Sequence, residues 1–198
     1  MGTGPEDEAE DWTGTLESGL LDWGCFLHCW SGRLPGRPFV NNESTSMSQA
    51  EPTSPPPPIS QGDLAALIED VVRPSFVRCC ADSSEFFDAF YFRLGDRLPQ
   101  VGAMFARVEM QKQNDLIRDG IKDLIAYANE DSKAEAELQR LAKSHSRSGL
   151  AIPPEYYAQW IDSLMETIRE HDPTANDETE AAWKQVLAGG IALMVAGY

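Results

Sequence analysis

The residues best suited to chemistry lie in Leu141-Ala142-Lys143-Ser144-His145-Ser146-Arg147-Ser148-Gly149-Leu150. Ala134, Leu138, Leu141 and Ala142 recur at helical spacing, and His145 falls on the same face just before a glycine-marked break. An imidazole on the inner face of a helix end can reach a metal inside a fold. The same placement suits a buried histidine satisfied by a backbone carbonyl, or a polar residue at a helix terminus. The stretch alone does not separate these readings.

The other ligand-type residues carry less. Cys25-Phe26-Leu27-His28-Cys29 has the outline of half a zinc clip, but no second ligand pair follows at matching spacing. The adjacent Cys79 and Cys80 read as reduced helix residues, because neighbouring cysteines make a poor disulfide staple. His28 is assigned no role. His171, beside Asp172-Pro173, reads as a solvated turn residue.

Several helices must position these groups. Leu64, Leu67, Ile68, Val71, Val72, Ser75 and Phe76 follow helix spacing, with Pro74 either kinking that helix or starting a second one. Asp82 or Ser83 can cap the next helix, which carries Phe86, Phe87, Phe90, Tyr91 and Leu94 and is weakened at its end by Gly95. Pro99 restarts the chain in a short turn bearing Val101, Met104 and Phe105. A helix from about Met110 to Ala128 turns Gln113, Leu116, Ile117, Gly120, Ile121, Leu124 and Ile125 inward, and the helix ending at His145 follows. Pro153-Pro154 open a long helix with Tyr156, Trp160, Ile161, Leu164, Met165 and Ile168 on one side. The last helix, about Asp177 to Ala196, shows Trp183, Val186, Leu187, Gly190, Ile191 and Met194. No strand alternation and no repeat is visible, so residues 62–198 are expected to form one all-α domain.

Residues 1–61 differ. They hold eight of the 13 prolines, an acidic run and Pro55-Pro56-Pro57-Pro58, and are expected to be a disordered extension. Its apolar stretch Leu20 to Leu27, with Trp30, reads as a short docking helix or as isolated apolar residues; translation starting at Met47 would remove the first 46 residues. Across the chain, 16 Lys+Arg against 32 Asp+Glu give a net charge of -16, which repels phosphate backbones and anionic membranes. No apolar run reaches the ~20 residues of a membrane helix, and no basic region precedes an apolar one at the N-terminus. A soluble, cytoplasmic protein without nucleic-acid or membrane partners is expected.

Taken in order, Phe90-Tyr91, Pro99, Phe105, Met110-x-x-Gln113 and Leu141-Ala142-x-x-His145-x-x-x-Gly149 resemble a bacterial single-domain globin and the haem domain of flavohaemoglobins. The resemblance spans about residues 64–195 and implies a three-on-three helical fold holding haem b. It makes His145 the proximal ligand of a five-coordinate iron. Phe105 becomes the ring against the porphyrin, Gln113 the distal residue over the sixth position, and Ile117 the apolar residue narrowing the pocket. Tyr91 becomes the hydroxyl donor to a ligand, and Leu141 a further cofactor contact. Taken singly, Phe105 is also a generic core aromatic, Tyr91 a half-buried helix tyrosine and Gln113 a solvent-facing amide.

Two departures qualify the resemblance. Flavohaemoglobins hold the proximal histidine with a tyrosine and a glutamate. Tyr156 or Tyr157 matches the tyrosine, but the final helix, Gly189-Gly190-Ile191-Ala192-Leu193-Met194 to Tyr198, has no acid. No flavin or nicotinamide domain is visible, so turnover would need an external reductase. The resemblance implies reversible binding of oxygen, with nitric oxide and carbon monoxide as other ligands. The alternatives are nitric oxide dioxygenase activity with a separate reductase, and a haem-free sensor or docking module.

Overall fold

A computed structural model describes residues 59–80, 83–105 and 109–198, the side chains of 103–105 excepted. The N-terminal stretch, including Cys25, His28 and Cys29, lies outside the described residues. Among those described, every regular element is a helix. They are α1 (Gln61–Leu67), a π-helical turn (Ile68–Val72), α2 (Arg73–Cys79), α3 (Ser84–Arg97), α4 (Pro99–Phe105), α5 (Met110–Ala128), α6 (Ser132–His145), α7 (Glu155–His171) and α8 (Asp177–Ala196). The all-α expectation holds.

Local chemistry accounts for most boundaries. Ser60 caps α1 and Ser83 caps α3, the latter accepting the Phe86 N–H at 3.1 Å. Asp131 caps α6 by accepting from the backbone of Lys133 and Ala134, and Asn176 with Thr179 forms a capping box on α8. Pro74 lies in the first turn of α2, so a second helix does start there, continuous with the turn before it. Its ring lacks an N–H and crowds the carbonyl four residues back, and the preceding turn widens to π geometry, with Arg73 N–H donating to Ile68.

Gly95 lies in the last turn of α3, which runs on to Arg97. A Cβ there would lie 3.3 Å from the Gly102 Cα, and one on Gly102 would lie 3.1 Å from the Gly95 Cα. The two glycines let α3 and α4 cross with their backbones nearly touching.

The core lies where α3, α5, α7 and α8 meet the first helical segment. Trp183, Phe76, Phe86, Phe87, Phe90, Ile121, Leu138, Leu164 and Leu187 are fully buried there. α5 packs on α6 and α8, α6 on α8, and α3 on α7. The α3–α7 seam is finished at its edge by Arg93 with Glu170 and Arg97 with Glu166, while Arg97 also donates to the buried Ser163 at 3.2 Å.

His171 and Asp172 are not a solvated turn. The His171 ring sits edge-on to Phe86, with centroids 5.6 Å apart. Asp172 is buried and receives a two-pronged ion pair from Arg78, 2.8 Å on each arm. Thr174 donates to the same carboxylate from its backbone and its hydroxyl.

Candidate functional site

His145 is the last residue of α6 and half-buried. Its Nδ1 lies 2.9 Å from the Leu141 carbonyl and 3.1 Å from the Ser144 hydroxyl oxygen, whose own proton goes to Leu141. A carbonyl only accepts, so Nδ1 carries the proton and Nε2 is the nitrogen with the lone pair. Burial pushes the imidazole pKa down and the Leu141 carbonyl pulls it partly back up; the net shift is downward and favours the neutral ring. The carbonyl partner of the plain buried-histidine alternative therefore exists. It is also what an iron-ligating histidine needs, because it fixes ring orientation and tautomer.

The turn after His145 is held by Leu150 N–H to the Ser144 carbonyl at 2.8 Å and Ile152 N–H to the His145 carbonyl at 3.0 Å. Gly149 is required by space. A Cβ there would lie 2.2 Å from the Ser144 carbonyl oxygen. Behind the last turns of α6, Ala142 packs with Tyr157 and Met194, flanked by Leu141, Ile152, Ile191 and Leu193.

Of the two tyrosines expected near His145, Tyr157 is the one beneath this helix end. It is buried, and burial pushes its hydroxyl pKa up to about 12. Tyr156 is engaged instead by the Gln100 side chain.

Tyr91 and Gln113 are brought together. Gln113 Nε2 donates to the Tyr91 hydroxyl at 3.0 Å, and that hydroxyl donates to the Gln113 main-chain carbonyl at 3.1 Å. Tyr91 is buried, with its ring edge-on to Phe90, and burial raises its pKa further than the Gln113 contact lowers it. The hydroxyl stays protonated and can donate.

Ile117 and Leu141 are half-buried against the main core, as are Trp160 and Ile161 on α7. Phe105 closes α4, and its side chain lies outside the described residues.

Asn114, one residue past Gln113, is a buried polar group that helix patterning left out. Its Nδ2 donates to Asp88 at 3.2 Å and ties α5 to α3, while its buried Oδ1 has no partner among the described residues. The spacing from Asn114 to Ile121 and Ala128 puts it on the buried stripe, and only its polarity hid it.

A family model for globins matches residues 89–193, a span that contains Tyr91, Gln113 and His145. The chain belongs to the globin family. This globin is similar to a crystal structure of a Pseudomonas aeruginosa PAO1 protein described as structurally highly homologous to a human hemoglobin. The two are 40% identical, the match covers 67% of this chain and 98% of the other, and the TM-score is 0.61. No curated protein matches the chain. The expected likeness to a bacterial globin therefore holds, and with it the globin fold. No helix among the described residues is long and apolar enough to cross a membrane.

Proposed function

We propose that this globin binds haem b through Nε2 of His145 and binds oxygen reversibly, with residues 62–198 as the haem domain and 1–61 as an extension. The observation that carries the reading is the His145 Nδ1–H committed to the Leu141 carbonyl at 2.9 Å. A neutral, oriented imidazole with its lone pair on Nε2 is the donor that a haem iron takes. Half-buried Ile117 and Leu141 offer apolar surface to a macrocycle, and Phe105 is assigned the ring contact. Haem held there would supply an iron position at which a diatomic gas can bind.

The protein's own contribution lies in Tyr91 and Gln113. Oxygen is more easily polarised at such a position than carbon monoxide, so hydrogen-bond donors favour it. Gln113 brings an amide N–H and Tyr91 a phenolic O–H that remains protonated because it is buried. Each such bond contributes about 1 kcal/mol in a dry pocket. The same polar pair favours a second reading, the conversion of nitric oxide, oxygen and one electron from a separate reductase to nitrate.

The test is the visible absorption of purified protein in ferric, dithionite-reduced and carbon monoxide-exposed states, beside His145→Ala. A Soret band that shifts on reduction and with carbon monoxide, and weakens or changes character in the variant, is expected. No Soret band after haem addition would overturn haem binding and leave a haem-free docking module. Failure of nitric oxide to be consumed in oxygenated solution with a reductant would remove the second reading alone.

A further inference from the structure

We propose that Cys79 and Cys80 form a reversible two-electron oxidation site, closing to a vicinal disulfide with a peroxide and reopening with a dithiol. Both are free thiols, and their sulfurs lie 3.2 Å apart. Adjacent side chains on a regular helix diverge by about 100° around the axis, which normally keeps neighbouring sulfurs apart. Here Cys79 ends α2 and Cys80 is its C-cap at φ -112° and ψ -26°, so the chain has begun to leave the helix and the two sulfurs converge. The remaining approach to a disulfide, with S–S of ~2.05 Å, is about 1.2 Å from the observed separation.

The pair is a poor staple because its ring encloses no length of chain. That is no obstacle to a bond that opens again: strained disulfides are the readily reduced ones.

The surroundings assign the two sulfurs different parts. Cys79 is itself buried, but it is among the residues lining an open cleft of about 420 Å³, with Val77, Arg78, Ser83, Ser84 and Glu85. Cys80 is fully enclosed, and burial holds its pKa well above the ordinary thiol range, so it waits as a protonated thiol. In the first step the Cys79 sulfur attacks one peroxide oxygen and gives up its S–H proton. The O–O bond breaks, the departing hydroxide takes that proton to form one water, and Cys79 becomes a sulfenic acid. In the second step the Cys80 sulfur attacks the Cys79 sulfur. The S–O bond breaks, and the departing oxygen leaves as a second water with the Cys80 proton. The two thiols together lose two electrons and two protons, and the peroxide becomes two waters.

Closure also withdraws the Cys79 S–H from the Ser75 carbonyl, 3.0 Å away. Ser75 accepts the Trp183 indole N–H at 3.1 Å. The oxidised pair thus gives up a hydrogen bond to a residue that joins α2 to α8. This holds whichever gas the globin binds.

The experiment uses the full chain carrying Cys25→Ser and Cys29→Ser, so that Cys79 and Cys80 are the remaining thiols. It is treated with a small excess of hydrogen peroxide, alkylated in denaturant and weighed. The expected product has lost two hydrogens, takes up no alkyl groups, and regains both thiols with dithiothreitol. Pre-treatment with phenylarsine oxide, which bridges two close thiols through one arsenic, is expected to prevent that loss. In Cys80→Ala the same peroxide is expected to leave a sulfenic acid on Cys79 that a dimedone probe captures. Retention of both alkylatable thiols, or oxygen added to cysteine with no disulfide, overturns the proposal.

Discussion

At the scale of single residues, the Tyr91–Gln113 pair couples a buried phenol to the amide and the main-chain carbonyl of one glutamine. Donation to a gas ligand requires the hydroxyl to turn away from the Gln113 carbonyl, so ligand binding competes with an existing hydrogen bond. The net gain is therefore a difference between two bonds of about 1 kcal/mol each, which still amounts to several-fold in rate when the ligand is more strongly polarised. Tyr91→Phe removes the donor and the acceptor of the Gln113 amide together. An oxygen dissociation rate about five-fold or more above the parent is expected, with a smaller change for carbon monoxide, read by stopped-flow mixing. An unchanged oxygen rate would leave Tyr91 as a packing residue. The family was legible in the sequence because the order and spacing of Tyr91, Gln113 and His145 match it, not because any one of them stands out. Asn114 was not, because a polar residue on a buried stripe looks like a phase error until Asp88 is seen beside it.

At the scale of elements, the end of α6 is held by a turn that leaves no room for a side chain at Gly149. The added Cβ of Gly149→Ala would meet the Ser144 carbonyl at 2.2 Å, and that carbonyl already accepts from Leu150. The turn must open, and His145 is the residue immediately beyond Ser144. The variant is expected to be less stable by about 1–3 kcal/mol in urea and to release haem faster to an acceptor protein. Stability lost with haem retention unchanged would separate the turn from the ligand. Helix periodicity made most elements readable, since apolar spacing is a local property of the chain. Tertiary contacts were not readable in the same way. Gly95 looks like a weak helix end until Gly102 is found against it, and the partner of Asp172 is Arg78, far back in the chain. The widened turn before Pro74 was half legible: the proline announced a defect, and only the Arg73–Ile68 hydrogen bond shows which defect it is.

At the scale of the whole molecule, a net charge of -16 makes stability depend on pH, and two carboxylates, one buried and one half-buried, pull in opposite directions. Burial would raise the pKa of Asp172, but the Arg78 guanidinium, the Ser75 hydroxyl and the Thr174 donors outweigh it and hold the group well below the usual carboxylate range. Its contribution is present above the unfolded pKa of about 3.9 and is lost as pH falls through the folded value. Asp123, on α5, is the reverse case. Burial first, then Glu137, Asp119 and Asp131, push its pKa up to about 7, against the pull of Arg140. The folded state therefore holds a proton that the unfolded chain has released. This carboxylate destabilises increasingly as pH rises from about 4 towards 7, with its full effect above that. Of the two, Asp172 favours the fold above the acid range, and Asp123 disfavours it increasingly towards neutrality. Asp123→Asn is expected to raise the urea midpoint at pH 8, leave it nearly unchanged at pH 4, and flatten the decline between. Asp162→Asn, an exposed carboxylate on α7, controls for charge reduction alone. Equal gains from both substitutions would mean that total charge governs the slope; a gain confined to Asp123→Asn would trace it to the seam between α5 and α6.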